Sequence, residues 1–379
     1  MSLAPGTEVL LALGGGSARG MSHIGVIRAL EQHGLVIRGV AGTSIGAVVG
    51  GTYCAGRLDD YEEFMAAMDK RGVVRMLDPV LARGGLFAGK RLTDLMKSFV
   101  GEVLIEDLDV PFSAVAVDVS CGDEVRLDRG RLTHAMRASF GIPGLFTPFD
   151  LEVDGEQRWL VDGGVASPVP VGAARALGDL PIVAVNVNRV YAEPAVRHEP
   201  EDGPEGPSAR ERLAAFLDSD RLPAGARDFL RGVFGRGTEA DGVADGAADE
   251  ATDQVDQHAA SAQGEAGEGP DGGGGRAPGA GTPEADGGSL SASLLRRMGL
   301  FTTPDGPRRP GLVDSLYNSV VLLQHHLARS QFEAELPALL VEPNMEGVGL
   351  FDYHLGPALV AEGERAARVA LGLEADAAG

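Results

Sequence analysis

Three short glycine-rich stretches hold the residues with the means to do chemistry. GTSIG, residues 42–46, sets Ser44 between small neighbours; GGGSARG, residues 14–20, is backbone-rich and nearly free of bulk; VDGGVASPVPV, residues 161–171, opens on a strand end with Asp162. A serine on a sharp turn between a strand and a helix exposes its Oγ, and GxSxG is the spacing such an elbow needs. That hydroxyl must lose its proton as it attacks, so a base has to lie beside it. Asp162, followed by two glycines that allow close backbone approach, is one candidate for that base. An aspartate there also serves as a cap of the next turn, and the residues alone leave both roles open.

GGGSARG has three conceivable tenants: a phosphate, a dinucleotide pyrophosphate or an oxyanion. Glycines between strand and helix aim several N–H groups into one concavity, aided by the helix N-terminus. The dinucleotide pattern GxGxxG fails, because Arg19 follows Gly14 and Gly16 where the third glycine should stand, and the second strand ends at Gly42 instead of an acid for a ribose. The P-loop pattern fits Gly15 to Gly20 and Ser22 but puts Met21 in place of its lysine. An oxyanion hole is the best functional reading, with a plain structural turn as the alternative. Of the eight histidines, at 23, 33, 134, 198, 258, 325, 326 and 354, none has a distinctive loop around it. His354 falls late in the chain, where a Ser-His-Asp hydrolase carries its histidine. Without a histidine, a Ser–Asp dyad has to work by direct contact in a site poor in water, where desolvation raises the carboxyl pKa toward a useful value.

These turns need strands and helices to hold them. TEVLLAL (7–13) reads as a buried strand, residues 20–33 as a helix with Ile24, Val26, Ile27 and Leu30 inward, Val36–Ala41 as a second strand and Ile45–Ala55 as a second helix. FSAVAVDV (112–119) reads as a near-continuously apolar strand, as buried parallel strands are, RWLVDGG (158–164) as a short strand ending in a turn and PIVAVNV (181–187) as another central strand. A helix is expected over 311–330, a last strand over 338–343 and a final helix from Gly356. The pattern specifies an α/β fold with a mainly parallel sheet. It also specifies one domain in two parts, residues 1–190 and 311–379, interrupted by an insertion over 191–310.

Net charge is −22, and residues 237–290 supply half of it, with twelve acidic residues against one basic, Arg276. That tract has no aromatic residue and four consecutive glycines, Gly272–Gly275, so it is expected to be disordered. No basic patch is interleaved with aromatics, which argues against nucleic acid as a partner. Two cysteines, Cys54 and Cys121, cannot make a disulfide framework and are expected to be buried small hydrophobes of a reducing compartment. Neither a secretory leader nor a spanning run is visible, which gives a cytoplasmic location with peripheral contact to a membrane. No HxH, HExxH or calcium loop is present, and no metal is expected.

Taken together, Gly14–Gly20, Gly42–Gly46 and Asp162–Gly163–Gly164, in that order, resemble the patatin-like phospholipases, and among them the bacterial members related to the neuropathy target esterase catalytic domain. HIGVIRALEQHG, GTYCAG, LTHAMRASFGIPGLFTPF and VDGGVASPVPVGAARALG also stand in family order, so the resemblance covers roughly 7–190 and resumes over about 311–372. It implies a three-layer α/β/α fold, Ser44 as acylated nucleophile, Asp162 as activator of Ser44 and later of water, and an oxyanion loop of Gly14, Gly15, Gly16 and Ser17 aided by Arg19. Phe140, Ile142, Leu145 and Phe146 are candidates for an acyl cleft, with core packing as the other reading. The implied reaction is cofactor-free hydrolysis of a phospholipid or lysophospholipid ester. A short-chain esterase or thioesterase, or a noncatalytic scaffold whose insertion binds a protein partner, are the competing readings. The long acidic insertion and Ser17, where glycine is common, depart from the family pattern.

Overall fold

In the computed structural model, residues 3–80, 84–189, 215–216 and 312–374 are described. The expected insertion over 191–310 and its acidic tract lie outside them, save Ala215 and Phe216.

Strands β1 (Glu8–Leu13), β2 (Val36–Thr43), β4 (Phe112–Asp118), β9 (Ile182–Val185) and β10 (Leu339–Val341) form the parallel body of an eight-stranded sheet, in the order β10-β9-β1-β2-β4. Beyond β4 the sheet turns antiparallel through β8 (Glu156–Asp162) and β7 (Phe149–Val153), and β5 (Glu124–Leu127) also pairs with β4. A separate two-stranded ribbon joins β3 (Gly85–Phe87) to β6 (Gly144–Phe146).

Helices cover both faces because the parallel strands are apolar on both. In β1, Val9, Leu11 and Leu13 enter one core, while Leu10 and Ala12 enter another on the opposite face. The first core is packed by α1 (Ser22–Gln32), α2 (Ile45–Cys54), α3 (Leu58–Ala66), α4 (Lys70–Met76), α5 (Lys90–Val100), α6 (Leu132–Ser139) and α9 (Gly356–Ala370). The second takes residues of α7 (Val171–Leu177) and α8 (Leu312–Ala334), among them Val171, Ala174, Ala328 and Phe332. The result is a three-layer α/β/α arrangement with a mainly parallel centre, as the sequence pattern specified. Cys54 is buried as expected, but Cys121 is exposed, a correction: it stands in the turn between β4 and β5, where the chain reverses through solvent.

The late part of the chain is built into the early part. β10 pairs with β9 in the main sheet, and α9 lies across α1 at a pair of glycines. A Cβ at Gly25 would run into the Val360 carbonyl, and one at Gly363 into the Ser22 carbonyl, both of them backbone groups that cannot swing aside. Close crossings of this kind tolerate no methyl group without moving a whole helix. Gly25→Ala and Gly363→Ala are each expected to lower unfolding free energy by about 2–3 kcal/mol. Gly172→Ala, where a Cβ would meet open space, should be nearly neutral in the same urea titration.

Candidate active site

Ser44 sits where β2 hands over to α2, and its backbone pays for the position: φ is 56° and ψ −124°, outside the common regions for a residue with a side chain. The flanking glycines are sterically required. A Cβ at Gly42 would strike the Gly46 carbonyl, and one at Gly46 the Leu13 carbonyl of the neighbouring strand. Two further bonds hold the elbow: Ser44 N–H donates to Ser139 Oγ at 2.8 Å, and Thr43 Oγ1 donates to Ser167 O at 2.8 Å. Ser139 is itself anchored, donating to Val115 O at 2.6 Å.

Asp162 ends β8, which runs antiparallel to β4 with Ala116 opposite Asp162. Its neighbour Gly163 comes so close to β4 that a Cβ there would collide with Val115 O. Across 118 residues of sequence, Ser44 Oγ donates to Asp162 Oδ2 at 2.5 Å. The other oxygen, Oδ1, accepts from Gly164 N–H at 2.7 Å, so one carboxylate both caps its turn and holds the serine. Ser44 is 6% exposed and Asp162 3% exposed. Burial pushes the Asp162 carboxyl up to about 6, against the two hydrogen bonds that pull it down.

The glycine loop is divided in its use. Gly14 N–H donates to Val185 O and Gly15 N–H to Pro168 O, so both are spent on the scaffold. Gly16 and Ser17 stand at the N-terminus of the short 3-10 turn Ser17–Met21, where backbone N–H groups have no acceptor in their own turn. Of the four residues expected in an oxyanion loop, these two have N–H groups that are not bonded to the Val185 or Pro168 carbonyl. The loop lies against the nucleophile: a Cβ at Gly15 would come within 3.2 Å of Ser44 Cβ. Arg19 acts from the side, donating from Nε to Val348 O at 3.0 Å and from Nη1 to Asn188 Oδ1 at 3.3 Å.

Several positioning residues were not legible beforehand. Asn188 donates to Gly15 O at 3.0 Å and to Gln324 Oε1 at 2.8 Å, tying loop and α8 together. Ser17, at φ 52°, is steadied by donating to Leu350 O at 2.6 Å, with Tyr353 Oη 3.2 Å away. His23 is fully buried with Nε2 donating to Gly14 O at 2.8 Å. Burial lowers its pKa to about 4 although that bond opposes the shift, so it is a neutral strut at pH 7. The one signal for it in the chain itself is its place next to the glycine loop, His23 falling three residues after Gly20. His354 lies 3.9 Å from Asp352, away from the Ser44–Asp162 pair, and burial lowers its pKa.

Phe140, Ile142, Leu145 and Phe146 all line one cavity, which reaches Ser17 and Ser44 at its polar end. It encloses about 780 Å³ of space not filled by atoms, open mouth included. Much of the rest of its wall comes from α3, α4, α5 and the residues next to them, with Met65, Met68, Met76 and Met96 among the lining residues, and Ile45, Val48, Phe351 and Tyr353 complete it. Methionine is flexible and polarisable, which suits a wall that must fit a chain of variable shape. Among the described residues, no group of three or more His, Cys, Asp or Glu is placed to hold a metal ion, and no helix is long and apolar enough to cross a membrane.

The raised carboxyl pKa has a stability consequence. Because the folded value of about 6 lies above the ordinary carboxylate value of 3.8, the folded state holds this proton more tightly than the unfolded chain. The associated stabilisation is complete below about pH 4 and is lost as pH rises through 6. Asp162→Asn, which cannot ionise, should therefore gain stability over the parent between pH 4.5 and pH 8, by roughly 1–3 kcal/mol in paired urea titrations.

Comparison with known proteins agrees with this geometry. Residues 11–175 match the family model described as patatin-like phospholipase. The chain is 43% identical over 193 residues to an uncharacterized NTE family protein of Mycobacterium tuberculosis (strain ATCC 25618 / H37Rv), covering 51% of this chain and 52% of that protein. It is 35% identical over 190 residues to a patatin-like phospholipase domain-containing protein of Caenorhabditis elegans, covering 49% of this chain and 14% of that one. It is 32% identical over 186 residues to patatin-like phospholipase domain-containing protein 6 of Mus musculus, covering 48% and 14%. The chain thus spans about half the length of the first of these relatives and far less of the other two. The glycine loop, the serine elbow and the DGG turn all fall inside residues 11–175, the span that is similar to patatin-like phospholipases.

Proposed function

We propose that this protein is a serine acyl hydrolase that cleaves carboxylic esters of phospholipids or lysophospholipids. The observation that carries the reading is the 2.5 Å hydrogen bond from Ser44 Oγ to a buried carboxylate at the end of an apolar cavity. A lipid acyl chain would lie in the cavity with its ester carbonyl beside Ser44.

In the first half-reaction, Ser44 Oγ bonds to the carbonyl carbon and its proton passes to Asp162 Oδ2. The negative charge formed on the carbonyl oxygen is received by the N–H groups of Gly16 and Ser17, with the N-terminus of α2 adding favourable field at Ser44. As the tetrahedral adduct collapses, the C–O bond to the alcohol breaks and the departing oxygen takes the proton from Asp162. In the second half, Asp162 accepts a proton from water as the water oxygen attacks the Ser44 ester. Ser44 Oγ then leaves, recovers the proton, and the fatty acid departs. The raised carboxyl pKa supports this role, since a base is most effective when its pKa approaches the working pH. Its burial keeps competing water from the Ser44 contact.

The decisive experiment sets the protein beside Ser44→Ala on a series of p-nitrophenyl esters and lysophospholipids, with fluorophosphonate labelling of the same samples. Turnover is expected to fall at least about 10³-fold and labelling to vanish in Ser44→Ala. Retained turnover in that variant would refute the assignment. Because Asp162 must be ionised to act, kcat/KM should rise with pH, tenfold per unit, through an apparent pKa near 6 and then level off. A profile flat from pH 5 to 8 would exclude Asp162 as the base.

A further inference from the structure

Phe216 belongs to the stretch between β9 and α8, far outside the matched span of residues 11–175. Its side chain is nevertheless 1% exposed and sits in the aromatic cluster of the first core. Its ring lies 5.9 Å from Phe64 of α3 and 6.4 Å from Phe99 of α5. Those two rings meet edge-on at 5.5 Å, and Phe99 also meets Tyr61 edge-on at 5.8 Å. Tyr61 lines the cavity at Ser44, whereas Phe64, Phe99 and Phe216 stand behind it.

The two helices bridged by Phe216 are the ones that form this side of the cavity. From α3 and the residues just after it come Tyr61, Met65 and Met68; from α5 come Leu92, Leu95 and Met96. The lining side chains are long and flexible, so the position of the wall depends on what backs it. Phe216 packs on both rings in tilted geometry, at 56° to Phe64 and 39° to Phe99, and those rings meet each other edge-on, so Phe216 backs α3 and α5 where they join and acts as a spacer for both. Methionines alone would not hold a fixed width.

We propose that Phe216 is a specificity-determining residue, which sets the spacing of α3 and α5 and through it the fit of a long acyl chain in the cavity. It does not touch the reacting atoms and acts through Phe64, Phe99 and Tyr61. The consequence for ester selectivity rests on the acyl-hydrolase reading; the consequence for chain binding does not.

The test compares the full chain with Phe216→Ala and the milder Phe216→Leu. One arm measures kcat/KM on p-nitrophenyl acetate, octanoate and palmitate, with active sites counted by fluorophosphonate. The other measures affinity for cis-parinaric acid by fluorescence. Phe216→Ala should keep acetate turnover per labelled site within about twofold of the parent while palmitate kcat/KM falls at least about fivefold, chiefly through KM, which a uniform loss of binding energy would produce. Parinaric acid affinity should fall by a similar factor, with Phe216→Leu in between. An unchanged palmitate-to-acetate ratio and unchanged affinity overturn the proposal. Equal loss at every chain length, tracking a fall in labelled sites, also overturns it, because that marks general destabilisation. If Phe216→Ala fails to fold, the Phe216→Leu ratio decides alone. If the parent hydrolyses no ester, the acyl-hydrolase reading fails, and parinaric acid binding still decides the role of Phe216.

Discussion

A single desolvated hydrogen bond, from Ser44 Oγ to Asp162 Oδ2, makes demands that reach through much of the fold. Two residues 118 positions apart must meet at bonding distance with both side chains nearly removed from water. That is possible because β2 and β8 are both neighbours of β4, which brings their ends together on one side of the sheet. The remaining approach is made by omission of side chains. Gly42 and Gly46 let the elbow fold against β1, and Gly163 lets the turn after Asp162 settle on the Val115 carbonyl. The cost is held locally, in the positive φ of Ser44 and in a carboxylate whose charge is disfavoured by burial.

The glycine loop beside that pair is fixed from outside the segment that contains it. Asn188 reaches Gly15 O, Val348 O and Leu350 O accept from Arg19 and Ser17, and His23 bonds Gly14 O. Each removes a degree of freedom from the backbone that would face a developing negative charge. Preorganisation of this kind matters because donors that must first be recruited lose their advantage over water. The late chain, from α8 to α9, is therefore part of the site's framework as well as of the sheet. The glycine crossing of α1 and α9 places it there, directly above the turn that follows the loop.

The cavity follows a different logic from the polar end. Its wall is drawn from α2, α3, α4 and α5, from β6 and from Phe351 and Tyr353 late in the chain. Arg137 shows how the ribbon is held. Its buried guanidinium donates to Ala88 O and Thr147 O, each at 2.8 Å, and lies 5.3 Å from the Phe140 ring and 6.0 Å from that of Phe146. Burial lowers its pKa to about 10, still far above neutrality, so it stays a cation there. A charged plane thus supports two aromatic residues of an apolar wall.

By itself the sequence determined the strand segments along the chain and the three glycine turns, and through the family resemblance it pointed to the pair Ser44 and Asp162. These rest on local rules: continuous apolar runs for buried strands, and glycine where a Cβ would collide. Phe140, Ile142, Leu145 and Phe146 were legible as cleft candidates because they cluster in one short block. Only the tertiary structure decided that Gly14 and Gly15 spend their N–H groups on the scaffold while Gly16 and Ser17 do not. It alone brought α3, α4 and α5 around the cavity, set Phe216 behind them, assigned Asn188 and Tyr353 to the loop and put Cys121 in solvent. Hydrogen-bond partners, burial and the pKa shifts that follow from burial depend on what the rest of the chain brings near, and no local pattern carries that information.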